Sequence, residues 1–131
     1  MELDKNINKK KYIVKVSIDS DIDLVDIDKS VSEYLKHDIV VTSERVKARG
    51  LGQKYTMYVD GDGVEKGLAP NYIATMLYNA KGVGYRLEKI NSYIYGDIHI
   101  CKEVITHGKS EDVPFKLFEI EDLIKTIYIN D

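Results

Sequence analysis

Cys101 is the chain's single cysteine. One thiol closes no intramolecular disulfide and builds no multi-cysteine zinc site, because each needs at least two thiolates. A reducing, cytoplasmic setting is the expectation. Long apolar runs are missing as well. The N-terminus carries charge without a secretory apolar segment, and no stretch approaches the roughly 18 apolar residues of a membrane span. The expected protein is neither exported nor membrane-spanning. Positive charge is not in excess either: 19 Lys+Arg stand against 22 Asp+Glu, for a formal charge of -3. No overall basic field draws this chain to nucleic acid or anionic lipid. Histidine is scarce and scattered. His37, His99 and His107 show neither an HxxxH spacing nor a neighbouring carboxylate pattern, so no metal, cofactor or triad is expected. Tryptophan is absent and phenylalanine occurs twice, against ten tyrosines. With the abundance of Ile, Lys, Asp and Asn, that bias accompanies AT-rich coding sequence and points to a low-GC bacterium or its phage.

What is present suffices for one folded unit. Hydrophobic residues at 44% and charged residues at 31% fall in the globular range, and 131 residues fit a single domain over 1–131 with a polar, flexible start at 1–10. Alternation at Tyr12, Val14, Val16 and Ile18 predicts a strand. Asp19, Asp21, Asp23, Asp26 and Asp28 follow. Leu24, Ile27, Val31, Tyr34 and Leu35 recur at helical spacing, so a helix over about 24–36 is expected, with several aspartates near its positive end. Ile39 to Thr42 reads as a strand and Arg45 to Gln53 as a loop or irregular edge broken by Gly50 and Gly52. Tyr55 to Val59 reads as a strand, Asp60-Gly-Asp62-Gly63 as a hairpin turn, and Val64 to Lys66 as a short return strand. A helix follows Pro70 over about 71–80. Val83–Ile90 and Tyr93–Cys101 form the expected hairpin, with Gly96 a bulge or close-approach point. His107 to Pro114 is loop-like, and a last helix is expected near 119–128. The order predicts α+β: a mainly antiparallel sheet of five to six strands with three short helices packed on one face.

Few constellations carry chemistry. Asp60-Gly-Asp62-Gly fails the calcium-loop template, since Val64, Glu65 and Asn71 fall where a ligand, Gly and Glu are required. Residues 45–54 are more telling: Arg45, Lys47, Arg49 and Lys54 accompany Gly50 and Gly52 with no acid among them, in a chain with three arginines. Arginine grips phosphate with a bidentate fork, and glycine lets backbone N–H groups come close. The run is neither a Walker loop nor a dinucleotide fingerprint. A solvated basic loop is the alternative. Asn71 begins a helix, where outward N–H groups also attract anions. A plain N-cap is the simpler explanation and the one the sequence favours. Tyr72, Tyr78, Tyr85, Tyr93 and Tyr95 offer apolar rings with polar tips, suited to stacking on a base or to ordinary half-buried strand positions. Cys101, with no histidine beside it in sequence, reads as packing rather than as a nucleophile.

The run Met57-Tyr58-Val59-Asp60-Gly-Asp62-Gly63-Val-Glu-Lys-Gly67-Leu68-Ala69-Pro70-Asn71, with Tyr95-Gly96-Asp97-Ile98-His-Ile100 downstream, resembles a small uncharacterised domain family carried by bacteria, phages and plasmids. Members share an Asp/Asn-Gly turn, a Gly-Leu-Pro-Pro-Asn segment and a Gly-Asp that opens a strand. The resemblance covers residues 55–102, and Ala69 replaces the usual first proline. It implies an accessory protein of a mobile element. From that setting follows the leading expectation: a non-enzymatic binder that counters host defence by sequestering a phosphorylated nucleotide signal. Arg45, Lys47, Arg49, Lys54 and Arg86 would hold phosphate, and Asn71, Tyr72 and Tyr95 the base or ribose. A homo-oligomer would suit such a binder by completing the pocket at a symmetric interface. The competing class is a protein inhibitor, for example of a host nuclease, in which Asp19, Asp21 and Asp23 imitate nucleic-acid phosphates.

Overall fold

A computed structural model describes residues 10–38, 43–84, 87 and 89–130. Among them the chain forms an α+β fold, a six-stranded antiparallel sheet with three helices. The strands are β1 (Tyr12–Val16), β2 (Ile22–Asp26), β3 (Ser43–Lys47), β4 (Tyr55–Asp60), β5 (Ile98–Thr106) and β6 (Lys109–Val113); the helices are α1 (Val31–Asp38), α2 (Tyr72–Asn79) and α3 (Leu117–Asn130). A single 3-10 turn, Arg49–Leu51, links β3 to β4. Sheet order is β2-β1-β5-β4-β3, with β6 also on β5. Ile100 pairs with Val14 on one side and Met57 on the other, and Lys102 with Val113 and Tyr55. Consequently β1 and β6 follow one another along one edge of β5, and β4 occupies the opposite edge.

Alternation along the strands builds two unequal layers. Val14, Val16, Met57, Val59, Ile98 and Ile100 face one way, onto Ile73 and Leu77 of α2, Leu51 of the 3-10 turn, and Ile120, Leu123 and Ile127 of α3. The other face is smaller: Ile13 and Cys101 meet Ile27 and Val31. Helix α1 therefore covers the face opposite α2 and α3, correcting the expectation that all helices share one face.

Several boundaries differ from those the sequence predicts. The helix expected from Leu24 begins at Val31, because residues 22–26 pair with β1 in register Ile22↔Val16 to Asp26↔Tyr12. Ser30 starts that helix, its hydroxyl accepting from Glu33 N–H at 3.2 Å. The aspartates upstream cap nothing there. The expected loop at 45–53 is half strand: Arg45, Val46 and Lys47 pair with Tyr58, Met57 and Thr56. No return strand forms at 64–66, which lie in turns. The expected hairpin of 83–90 with 93–101 is replaced. The described residues of 83–90 are not strand, and β5 begins only at Ile98 and pairs with β6 across His107 and Gly108, where a loop was expected. The strand read at 39–42 lies outside the described residues. Helix α2, β1, β4 and α3 stand within a few residues of where periodicity places them.

Candidate functional site: a basic groove beside the overhang of β5

Strand β5 outruns its neighbour. Its last pairing with β4 is Lys102↔Tyr55, and one residue further Glu103 N–H donates to Lys54 carbonyl at 2.6 Å. Beyond that point β5 continues with β6 on one edge and no strand on the other among the described residues. A groove of about 1020 Å³ occupies the vacated place. Its walls are Lys47 from β3, Arg49, Gln53 and Lys54 from the 3-10 turn and its exit, Lys81 just past α2, and Lys102 to Ile105 of β5. Five cations face one carboxylate there, although the whole chain is acidic.

The cations are not equivalent. Lys47 Nζ lies 2.8 Å from Glu103 Oε1 and also donates to the Gln53 carbonyl at 3.2 Å. Lys102 is paired with Glu119 of α3. Arg49 stands over the Tyr78 ring, 5.8 Å from its centroid, a cation–π contact that fixes the side chain without neutralising it. Neither Arg49 nor Lys54 forms an ion pair with a described residue. The Ala48 N–H donates to the Tyr55 carbonyl at 3.2 Å, which closes the β3–β4 connection whose residues Arg49 and Lys54 line the groove.

The single carboxylate is held hard. Glu103, with 15% of its side chain exposed, accepts from Lys47, from Ser110 Oγ at 2.7 Å and from Arg45. These donors hold its pKa at about 2. Arg45 lies outside the groove lining and is already engaged: its Nε and Nη2 each reach Asp112 at 2.9 Å, and Nη2 also reaches Glu103 and, at 3.3 Å, Thr56 Oγ1. A bidentate fork on a carboxylate is the geometry expected on phosphate. Arg45 has found its anion within the protein, in two residues of β5 and β6 that its sequence neighbourhood does not contain. Its pKa is raised, chiefly by Asp112. Tyr58 donates its hydroxyl to the same carboxylate, and burial followed by that bond raises its pKa. Cys101 is buried nearby and burial pushes its thiol up, away from the thiolate a nucleophile needs.

Of the residues singled out for phosphate, Lys47, Arg49 and Lys54 thus come together, Arg45 is diverted, and Arg86 lies outside the described residues. Lys81, Lys102 and Gln53 join them. No local signal marks Lys81 and Lys102, which reach the groove through the end of a helix and a strand, while Gln53 sits within the run 45–54.

The residues singled out for base or ribose lie elsewhere. Asn71 is fully buried; its Nδ2 donates to the carbonyls of Val16 and Gly96, both at 3.0 Å, and its Oδ1 accepts from Ala74 N–H at 3.0 Å. Both amide hydrogens are spent inside the fold, which corrects its assignment to a ligand. Tyr72 is exposed on α2, and Tyr95 is half-buried, bridged to Pro70; neither lines the groove. The acidic segment is exposed: Asp19 and Asp21 lie in the β1–β2 turn, their N–H groups donating to Ser17 Oγ at 3.2 and 3.1 Å, and Asp23 lies on edge strand β2 opposite Lys15. Charge on an edge strand blocks pairing with a second chain, which is reason enough for Asp23.

No protein-family model matches this chain, and neither the curated proteins nor the solved structures provide a match. No described helix is long and apolar enough to cross a membrane.

Proposed function

We propose that the protein binds a phosphorylated nucleotide in the groove beside β5 and holds it without turnover. The observation that carries this reading is the convergence of Lys47, Arg49, Lys54, Lys81 and Lys102 on one cavity of about 1020 Å³ in a chain of net negative charge. Such a volume is at the upper end of small-molecule sites, roughly 300–1,000 Å³, and exceeds the needs of a lone phosphate. Binding without catalysis fits Glu103: a carboxylate held at about 2 and saturated by donors is poorly tuned to move protons near neutrality. Sequestration of a defence signal, by an accessory protein of a phage or other mobile element, rests on the resemblance over residues 55–102.

Thermal-shift titrations with cyclic, NAD-derived and polyphosphorylated nucleotides test the reading, since a ligand of the native state raises the midpoint by mass action. The expected result is a shift that disappears in the Arg49→Ala/Lys54→Ala double variant, with intact ligand recovered by mass spectrometry. Recovery of a cleaved ligand would make the protein an enzyme, and no shift across the panel would sink the nucleotide reading. The exposure of Asp19, Asp21 and Asp23 along one edge favours a second reading, a protein inhibitor presenting carboxylates to a basic groove. That activity would be salt-sensitive and lost when the three become Asn.

A further inference from the structure

Resting on the nucleotide reading above, we infer that the overhanging edge of β5 at Ile105 binds the nucleobase, its backbone N–H and carbonyl pairing with the base while the cations at the mouth take the phosphates. Successive residues of an antiparallel strand direct their N–H and carbonyl groups to alternate edges. Glu103 N–H points to the β4 side, where it reaches Lys54. Ile105, two residues on in the unbroken register with β6, directs its own pair to that same side, and β4 has ended there. The pair therefore opens into the groove that Glu103, Val104 and Ile105 line.

A donor and an acceptor side by side in one plane is the complement of a base edge, which also carries adjacent donor and acceptor atoms. The Ile105 side chain is 71% exposed, unusual for a large aliphatic residue on a strand, and Val104 is half-buried next to it. Both line the cavity and supply apolar surface against a planar ring. Arg49 and Lys54 line the same groove, so one nucleotide would meet apolar and backbone groups at its base and positive charge at its phosphates. The same strand edge offers extended backbone to an acidic peptide. A nucleotide is favoured because five cations line this one groove, whereas strand addition calls for a longer free edge than residues 104–106 provide.

Ile105→Pro tests the assignment by deleting one N–H. That group takes no part in the β5–β6 ladder, and proline is tolerated where a strand's N–H faces outward. The variant is expected to bind tripolyphosphate like the parent and the best-bound nucleoside triphosphate roughly tenfold more weakly. In the unmodified protein, the Ile105 amide resonance should shift on titration with the nucleotide and stay in place with tripolyphosphate, which reads the contact even if the proline variant does not fold. Nucleotide binding that leaves the Ile105 amide unperturbed would overturn the base assignment while preserving the nucleotide reading. If neither nucleotides nor tripolyphosphate bind, or if an acidic peptide binds in their place, both fall together.

Discussion

Asn71 shows how one side chain can fasten three parts of a fold. It caps α2, ties that helix to the end of β1 through Val16, and ties both to the start of β5 through Gly96. Asn71→Ala should cost about 2–4 kcal/mol, since it removes a cap and strands two buried carbonyls. Urea denaturation would measure it, and a loss below about 1 kcal/mol would show that water replaces the amide. Its role as an N-cap was one of two readings open in the sequence; the carbonyls it binds, 55 and 25 residues away, were not legible. Arg45 teaches the converse. In sequence it heads a run of cations without acids, yet Glu103 and Asp112 are its nearest anions, brought by strands some 60 residues downstream. Local charge composition singled out Arg49 and Lys54, which line the groove, and was blind to Arg45's partners.

At the scale of elements, the segments around residues 63–71 and 94–96 act as a clasp. Gly96 N–H donates to the Ala69 carbonyl and Asn71 N–H to the Ile94 carbonyl, both at 2.8 Å, while Pro70 bridges to Tyr95. Gly63 sits so close that an added Cβ would lie 2.9 Å from the Tyr95 Cβ. Gly96 has φ +85, and an added Cβ there would meet the Leu68 Cδ1 at 2.8 Å. The leucine tip can move, but the backbone conformation cannot be relieved that way. Gly96→Ala should therefore destabilise by about 1–2 kcal/mol, and Leu68→Ala in the same chain should restore little of it. Full rescue in thermal melts would mean the contact, rather than the dihedral, decides. The strands that periodicity missed, β2, β3 and β6, have sequences IDLVD, SERVK and KSEDV. Charged residues on outer or lightly covered strands hide the alternation that a buried strand displays. Strand β4 and helix α2, pressed into the main core, retained it and were legible almost to the residue.

For the molecule as a whole, acid is the condition to which the fold is most exposed. Burial lowers the His99 pKa from 6.5 to about 4, with Lys15 adding to the effect and Asp97 opposing it. Below pH 6.5 the unfolded chain takes up a proton that the native imidazole, edge-on to Tyr34, refuses. Stability is then complete above about 6.5 and falls as the pH drops toward 4, by on the order of 2 kcal/mol. Glu103, lowered from 4.5 to about 2, adds a second loss as the pH falls below about 4.5. His99→Gln should flatten the first decline and leave the second. Chemical denaturation at pH 7, 5 and 3.5 would show this, and an unchanged slope between 7 and 5 would remove His99 from the account. The groove, too, belongs to this scale: it exists only where β3, the end of α2 and β5 meet, so its sequence trace is a cluster of cations without its walls.

The central place of β5 also dictates when this chain can acquire its shape. Strands β1 and β2 close a local hairpin, as do β3 and β4, but among the described residues the two hairpins are joined in the sheet through a strand that starts at Ile98. On the ribosome, the sheet that unites them cannot be completed until the last quarter of the protein is made. Folding is then a late event governed by long loop closures rather than by the early helices. A message cut short before β5 would yield two sticky hairpins, food for chaperones and proteases.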